Sequence, residues 1–435
     1  MKLFSSQVFP NLWILALATA PLLVFWAIFT YGIDTFYGDE LFYIPRLVRI
    51  ADGNFTVTEI FALHHNHRPT IPFLITAFFV FTTGWHGPYK YMLAVAFAAL
   101  TFWAIAWLAK KTFTNASRIT HMLFALLVIT YLLSLTQYTI WSQGMFLSIT
   151  LLMACAVWAI ALLWQNTSSM RVVGAVILCS AATLTLHQGF LIWLTCLFLI
   201  WFHRRIHPLT FAWGTLTIAV IALYHTDFSN GRFESDPLIL LERPSEFFLF
   251  FFAFLGSPLA PGSLPVAAAI GFILVIAAIF LTVRSFAHHR HLRVSLPWIA
   301  TLALSAALAL SAAAGRAWLG SAYALQPRYI AMSSLFFIAV MALGIIHAPT
   351  ERTQRALRLL FATLILVGVT YSVLAIPNIQ ARAQDLGDGR RCAYAIETAS
   401  KNCIHRGLKN EQLSDDEIRA HVCALKEHDL FRAVY

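Results

Sequence analysis

The sequence predicts an all-α polytopic membrane protein with about 11 transmembrane helices, and two observations carry that prediction. Hydrophobic residues make up 59% of the 435 positions and charged ones only 11%, with a mean hydropathy of +0.72, which leaves too few polar groups to coat a water-soluble globule. Apolar runs such as Leu12 to Tyr31 and Tyr91 to Ala109 reach the roughly 20 residues that a bilayer core about 30 Å thick demands of a helix.

The first run has no small-residue cleavage site behind it and is followed by acidic residues, so it is expected to stay as a signal anchor and first span. Orientation follows from the basic loops: Lys110-Lys111 with Arg118, His203 to Arg205, Arg284 to Arg293 and Arg352 to Arg358 are expected on the cytoplasmic side. Spans are then predicted at 11–31, 89–109, 119–136, 143–164, 172–186, 189–202, 209–225, 264–283, 296–312, 329–347 and 356–376. The odd count places the N-terminus in the cytoplasm and the tail outside, most simply in the periplasm of a bacterial inner membrane; a luminal face would obey the same physics. The net charge of +10 sits mainly in these short loops, where topology alone would put it, so no nucleic-acid partner is expected.

The stretch Ile71 to Thr83 is apolar but too short to cross, and counting it as a span would reverse the charge pattern on either side. It is expected to be re-entrant or interfacial, as is Phe247 to Leu255. Residues 35–89 therefore form one large external loop, with an amphipathic helix from Glu40 to Ala51 whose apolar positions are Leu41, Ile44, Leu47, Val48 and Ala51. The domain division is a membrane unit over 1–376 and a small helical external tail over 377–435. In that tail Ser414-Asp415-Asp416-Glu417 has the form of a helix cap ahead of Ile418, Val422 and Leu425. Cys155, Cys179 and Cys196 lie in apolar helices as packing residues, whereas a pair among Cys392, Cys403 and Cys423 would close a disulfide if the tail meets an oxidising compartment.

The candidate chemistry gathers on the external side. Asp39 and Glu40 are adjacent carboxylates just past the first span, either a negative cap for the next helix or a general base held at the membrane surface, with Asp39 as the base. In His64-His65-Asn66-His67-Arg68-Pro69, hydrogen bonding of His67 and Arg68 to a phosphate or sugar stands beside metal binding and a plain interfacial loop. Arg316 and the Arg328-Tyr329 pair lie in the last external loop, where guanidinium groups grip phosphate or else anchor helix ends. Gln137, Trp141, Gln143 and His187 are polar groups at external helix ends. Glu234, Asp236 and Glu242 offer a second acid or a cation site, so a divalent cation stays possible, although no metal-ligand set is assigned.

This pattern resembles the GT-C superfamily of membrane glycosyltransferases, in the group of protein mannosyltransferases and aminoarabinose transferases. The resemblance covers most of residues 1–376 and rests on Asp39-Glu40 after the first span, the long first loop, the Arg68-Pro69 to Pro72 start of the short apolar segment, and the basic late loop with Arg316 and Arg328. It implies inverting transfer of a sugar from a polyprenyl-phosphate donor to a lipid, glycan or protein acceptor, with Asp39 as base and Glu40 assisting. The sequence departs from the family where His67-Arg68-Pro69 replaces a Pro-Pro pair and lacks paired acidic metal motifs. The competing class is a transporter or flippase for a lipid-linked or anionic substrate, which calls for ionisable residues near helix centres. A structural or assembly membrane protein is the third.

Overall fold

The structure, a computed structural model, describes residues 8–64, 67–85, 87–226, 239–348, 350–400, 403–404, 408 and 413–431. His65, Asn66, Glu234 and Asp236 fall outside them. Among the described residues there is no strand, and the one β-type pairing is an isolated bridge between His64 and His67.

In chain order the α-helices are α1 (Val8–Tyr31), α2 (Ile44–Ala51), α3 (Thr70–Thr83), α4 (Gly87–Thr112), α5 (Arg118–Leu132), α6 (Tyr138–Ser142), α7 (Leu147–Gln165), α8 (Ser169–Thr183) and α9 (Phe190–Arg204). They continue as α10 (Pro208–Tyr224), α11 (Ile239–Glu242), α12 (Pro244–Gly256), α13 (Leu264–Ala287), α14 (His289–Arg316), α15 (Pro327–Ile346), α16 (Glu351–Leu374), α17 (Ile376–Tyr394) and α18 (Asp415–Glu427). Seven helical stretches among the described residues are long and apolar enough to cross a membrane, so the chain reads as an all-α integral membrane protein. A helix overlies every apolar run marked in the sequence, though α8, α9 and α10 have only 15, 15 and 17 residues.

Burial separates centre from periphery. The apolar windows of α7 and α15 are each 83% buried, against 22% for α13 and for the α16–α17 stretch, so α7 and α15 form the middle of the bundle. α13 instead turns Phe272, Ile273, Ile276, Phe280 and Val283 outward, the residue types that lipid tolerates. Close helix approach depends on small residues. A Cβ on Gly256 of α12 would stand 1.9 Å from the Ala267 carbonyl of α13, and one on Gly271 would stand 1.9 Å from that of Phe252. That crossing seats the short α12 against α13 along its length.

The first loop and the tail share a second apolar cluster. Phe36, Leu41, Ile44, Leu47, Phe73, Val80 and Trp85 pack with Cys392, Ile396, Ile418, Val422 and Leu425. The tail is thus docked on the loop rather than standing apart from it. Its α18 begins as the sequence predicts: Ser414 Oγ accepts from the Glu417 amide at 3.2 Å, and the Glu417 carboxylate accepts from the Ser414 amide at 2.8 Å. The amphipathic segment of the loop differs from expectation. Residues 38–43 form a 3₁₀ turn, α2 starts only at Ile44 with Pro45 in its first turn, and Ala51 is exposed.

α3 buries Phe73, Thr76, Ala77 and Val80 in this cluster and exposes Leu74, Phe78 and Phe81 at helical spacing. Both faces are apolar, one toward protein and one outward. Its start is satisfied by the Ile71 amide donating to the Leu184 carbonyl at 3.0 Å. In the tail Cys392 and Cys403 are joined as a disulfide with Cα atoms 5.8 Å apart, leaving Cys423 as the free thiol there.

Candidate functional site

Three carboxylates follow α1, and the fold treats them differently. Asp34 is buried and accepts from the Gly87 amide at 2.6 Å, placing negative charge on the N-terminus of α4, where the helix dipole favours it. Glu40 accepts from Lys90 Nζ at 2.5 Å, with 2% of each side chain exposed. Asp39 keeps 39% of its side chain exposed, with Oδ2 3.6 Å from Nε2 of the buried His64. Two carboxylates are spent on structure, and the third faces outward.

The Glu40–Lys90 pair sits in a built enclosure. Lys90 Nζ lies 4.7 Å from the centroid of the Trp85 ring, a cation–π contact on its second side. On another side is Gly144, where an added Cβ would stand 2.5 Å from Lys90 Cε and 2.7 Å from Glu40 Oε1. The Gln143–Phe146 turn therefore closes directly over the pair. Below the same segment, Arg46 lies over the Tyr43 and Phe73 rings at 5.2 and 4.5 Å. Burial pushes the Tyr43 phenol up; Arg46 pulls against that, and Glu40 and Asp39 add to it. Burial also lowers Arg46.

Two arginines reach this turn. Arg382 of α17 stacks over the Tyr37 ring at 4.0 Å, two residues before Asp39. With the Gln143 amide oxygen turned toward it, Arg382 Nε donates to that oxygen at 2.9 Å. Arg328 lies over the rings of Phe146, Tyr323 and Tyr329 at 5.4, 5.3 and 5.2 Å, and its guanidinium donates to the Tyr323 hydroxyl. Tyr329 extends that aromatic frame to Phe250 and Phe254. Asp39, Glu40, Gln143, Arg328 and Tyr329 thus belong to one connected group around residues 37–40 and 143–146.

Other candidates are placed elsewhere. Arg68 is a latch: Nε donates to the Tyr224 carbonyl at 3.1 Å, Nη1 to Phe61 at 2.7 Å, and Nη2 to Thr226, while its amide donates to the Tyr224 hydroxyl. Those bonds spend the guanidinium on the protein's own backbone and tie the first loop to the end of α10. His67 pairs through its backbone with His64. His187 lies in the turn between α8 and α9, Nε2 to Nε2 3.2 Å from His225. A carbonyl only accepts, so the 2.7 Å contact of His225 Nδ1 with the Ile221 oxygen puts the proton on that nitrogen and makes its Nε2 the acceptor from His187. Burial, then His225, brings His187 down to about 4. Arg316 ends α14 and donates to the Gly315 carbonyl at 3.0 Å. Gln137 and Trp141 donate to backbone carbonyls, and Glu242 is exposed.

Among the described residues no three His, Cys, Asp or Glu side chains are grouped to hold a metal. The sequence reading passed over Lys90, Trp85 and Arg382. Lys90 had a signal, a lone cation at the start of an apolar run, but that is also the mark of a side chain snorkelling to the interface. No known family model matches this chain, and no curated protein or solved structure is significantly similar to it.

Proposed function

We propose that this chain is a membrane glycosyltransferase with eleven spans, a cytoplasmic N-terminus and its active face outside, using a polyprenyl-phosphate-linked sugar. One observation carries the reading: of the three carboxylates directly after the first helix, Asp34, Asp39 and Glu40, only Asp39 is partly open, while Asp34 and Glu40 are fastened to the scaffold around it. A base needs that combination of a rigid mount and an accessible oxygen.

In the reaction an acceptor hydroxyl oxygen attacks the anomeric carbon from the face opposite the phosphate. The new C–O bond forms as the bond to the phosphate oxygen breaks, inverting the centre; the electron pair leaves with the phosphate, and the acceptor's proton passes to Asp39. Arg328, framed by Phe146, Tyr323 and Tyr329, is the cation assigned to the departing phosphate. A disulfide between Cys392 and Cys403 supports an oxidising compartment for this face, periplasmic in a bacterial inner membrane.

The test is transfer of labelled sugar from a polyprenyl-phosphate donor pool to endogenous acceptors in membranes holding the wild type or Asp39→Asn, with expression and fold verified. A loss on the order of 10²- to 10⁴-fold is expected for removal of a general base. Equal transfer by both proteins would remove Asp39 from the mechanism, and transfer by neither would favour the transporter or flippase reading.

A further inference from the structure

A cavity of about 800 Å³ opens where the end of α1 meets α17, and the chemistry above leaves it unused. From α17 come Gln380, Gln384, Gly387, Asp388 and Arg391, at the spacing of one helical face; from α1 comes Tyr31. Gln380 Nε2 donates to the Tyr31 hydroxyl at 3.0 Å, and Trp26 meets the Tyr31 ring edge-on at 5.4 Å, so the phenol is held in place. An added Cβ on Gly387 meets nothing nearer than Arg391 Nη1 at 4.0 Å, which makes this position open floor rather than packed core.

Charge decides what kind of ligand fits. Arg391 is already paired with Asp388, so the lining is neutral, and a phosphate would find no uncommitted pair of cations there. Carboxamides, a phenol and a compensated carboxylate–guanidinium pair offer donors and acceptors in equal measure, the set that reads the hydroxyls of a sugar. Location supplies the second argument. The neighbouring face of the same helix carries Arg382, stacked on Tyr37 beside Asp39, and Tyr31 is the last residue of α1 before the acidic segment. We infer that this groove binds the acceptor and that the acceptor's recognised part is carbohydrate, whether a free glycan or the headgroup of a glycolipid. The inference rests on the transferase reading.

Two arms test it with the full chain in native membranes. Gly387→Trp fills the groove and is assayed beside the wild type for sugar transfer and for hydrolysis of the polyprenyl-phosphate donor, in which water replaces the acceptor. The expected result is a transfer loss of about tenfold or more in Gly387→Trp with hydrolysis within about twofold of wild type. Unchanged transfer in Gly387→Trp, or equal loss of transfer and hydrolysis, overturns the acceptor site. A wild type that neither transfers nor hydrolyses sinks the transferase reading instead. In the second arm a photo-crosslinking residue replaces Gln384, and the adduct is analysed by mass. A sugar-bearing adduct supports the groove as a carbohydrate site even then, solvent extraction separating glycolipid from soluble glycan; a phospholipid adduct or a peptide adduct overturns it.

Discussion

Glu40 Oε1 and Lys90 Nζ stand 2.5 Å apart, and only 2% of either side chain is exposed. They join the loop after α1 to the first turn of α4, and Trp85 and Gly144 close the enclosure. Removing one partner of such a pair strands a charge away from water, at a cost of about 3–5 kcal/mol, whereas replacing both with groups of similar volume can be nearly neutral. Glu40→Gln and Lys90→Met are therefore each expected to lower the unfolding temperature of the detergent-solubilised protein markedly, and the double variant to recover most of that loss. Additive losses in the double-mutant cycle would show that the two residues are not coupled.

Gly144→Ala tests the enclosure from the other side. Its Cβ would fall within 2.5 Å of Lys90 Cε and 2.7 Å of Glu40 Oε1, so the pair must separate or the 143–146 turn must lift. Overpacking of this kind costs about 1–3 kcal/mol. Thermal unfolding is expected to fall accordingly, and Gly387→Ala, where there is room, to leave it unchanged. Equal stabilities for the two variants would mean that the turn at Gly144 yields freely.

Much of the helical scaffold was legible because the length and composition of an apolar run are local properties. The shortness of the apolar run Ile71 to Thr83 was visible in the same way, and α3 has 14 residues with its outer face apolar. What escaped was pairing across distance. Lys90 takes its meaning from Glu40, 50 positions earlier, and Arg382 from Tyr37 and Gln143. Arg68 resembled a phosphate ligand because a sequence shows a guanidinium but not the carbonyls that occupy it. The apolar stripe Ile418, Val422, Leu425 was visible in the tail, yet nothing in it named the first loop as its partner.

Arg382 gives a sharper test of the site than a charge deletion. Its guanidinium carbon lies 4.0 Å from the centroid of the Tyr37 ring while Nε donates to the Gln143 amide oxygen, and meeting both partners at once takes the broad guanidinium fork, which a point-like ammonium does not reproduce. Arg382→Lys is thus expected to behave like Arg382→Ala, each losing on the order of tenfold in sugar transfer, with the Asp39 loop displaced but the membrane helices intact. Full activity in Arg382→Lys would show that positive charge alone is required there.

The tail disulfide predicts a labelling pattern. With Cys392 and Cys403 joined and Cys155, Cys179 and Cys196 buried, a membrane-impermeant maleimide applied to the external face should modify Cys423 alone. Closing a loop of this length stabilises the folded tail by on the order of 3 kcal/mol in the chain-entropy description. Reduction should add Cys403, which is partly exposed, to the labelled thiols while Cys392 stays buried in the cluster, and should weaken the docking of α18 on α2, seen as faster proteolysis of the tail. Modification only after the membrane is permeabilised would put the tail on the cytoplasmic side and reverse the proposed orientation.

The His187–His225 contact sets an acid limit on the turn between α8 and α9. His187 titrates near 4 in the folded protein, below the usual histidine value near 6.5, because burial and then His225 disfavour its charged form. Between those two values the unfolded chain binds more protons than the folded one, so stability is unaffected by this group above about 6.5 and falls as pH drops toward about 4. The full penalty is about 3 kcal/mol if the unfolded value is the ordinary one. Carboxylates titrate in part of the same range, so the comparison that isolates the histidine is His187→Gln, whose amide can still donate to His225. Its unfolding temperature should decline less than that of the wild type between pH 6.5 and 4, with the two curves parallel above pH 7. Parallel curves throughout would mean that protonation of His187 is not resisted by the fold.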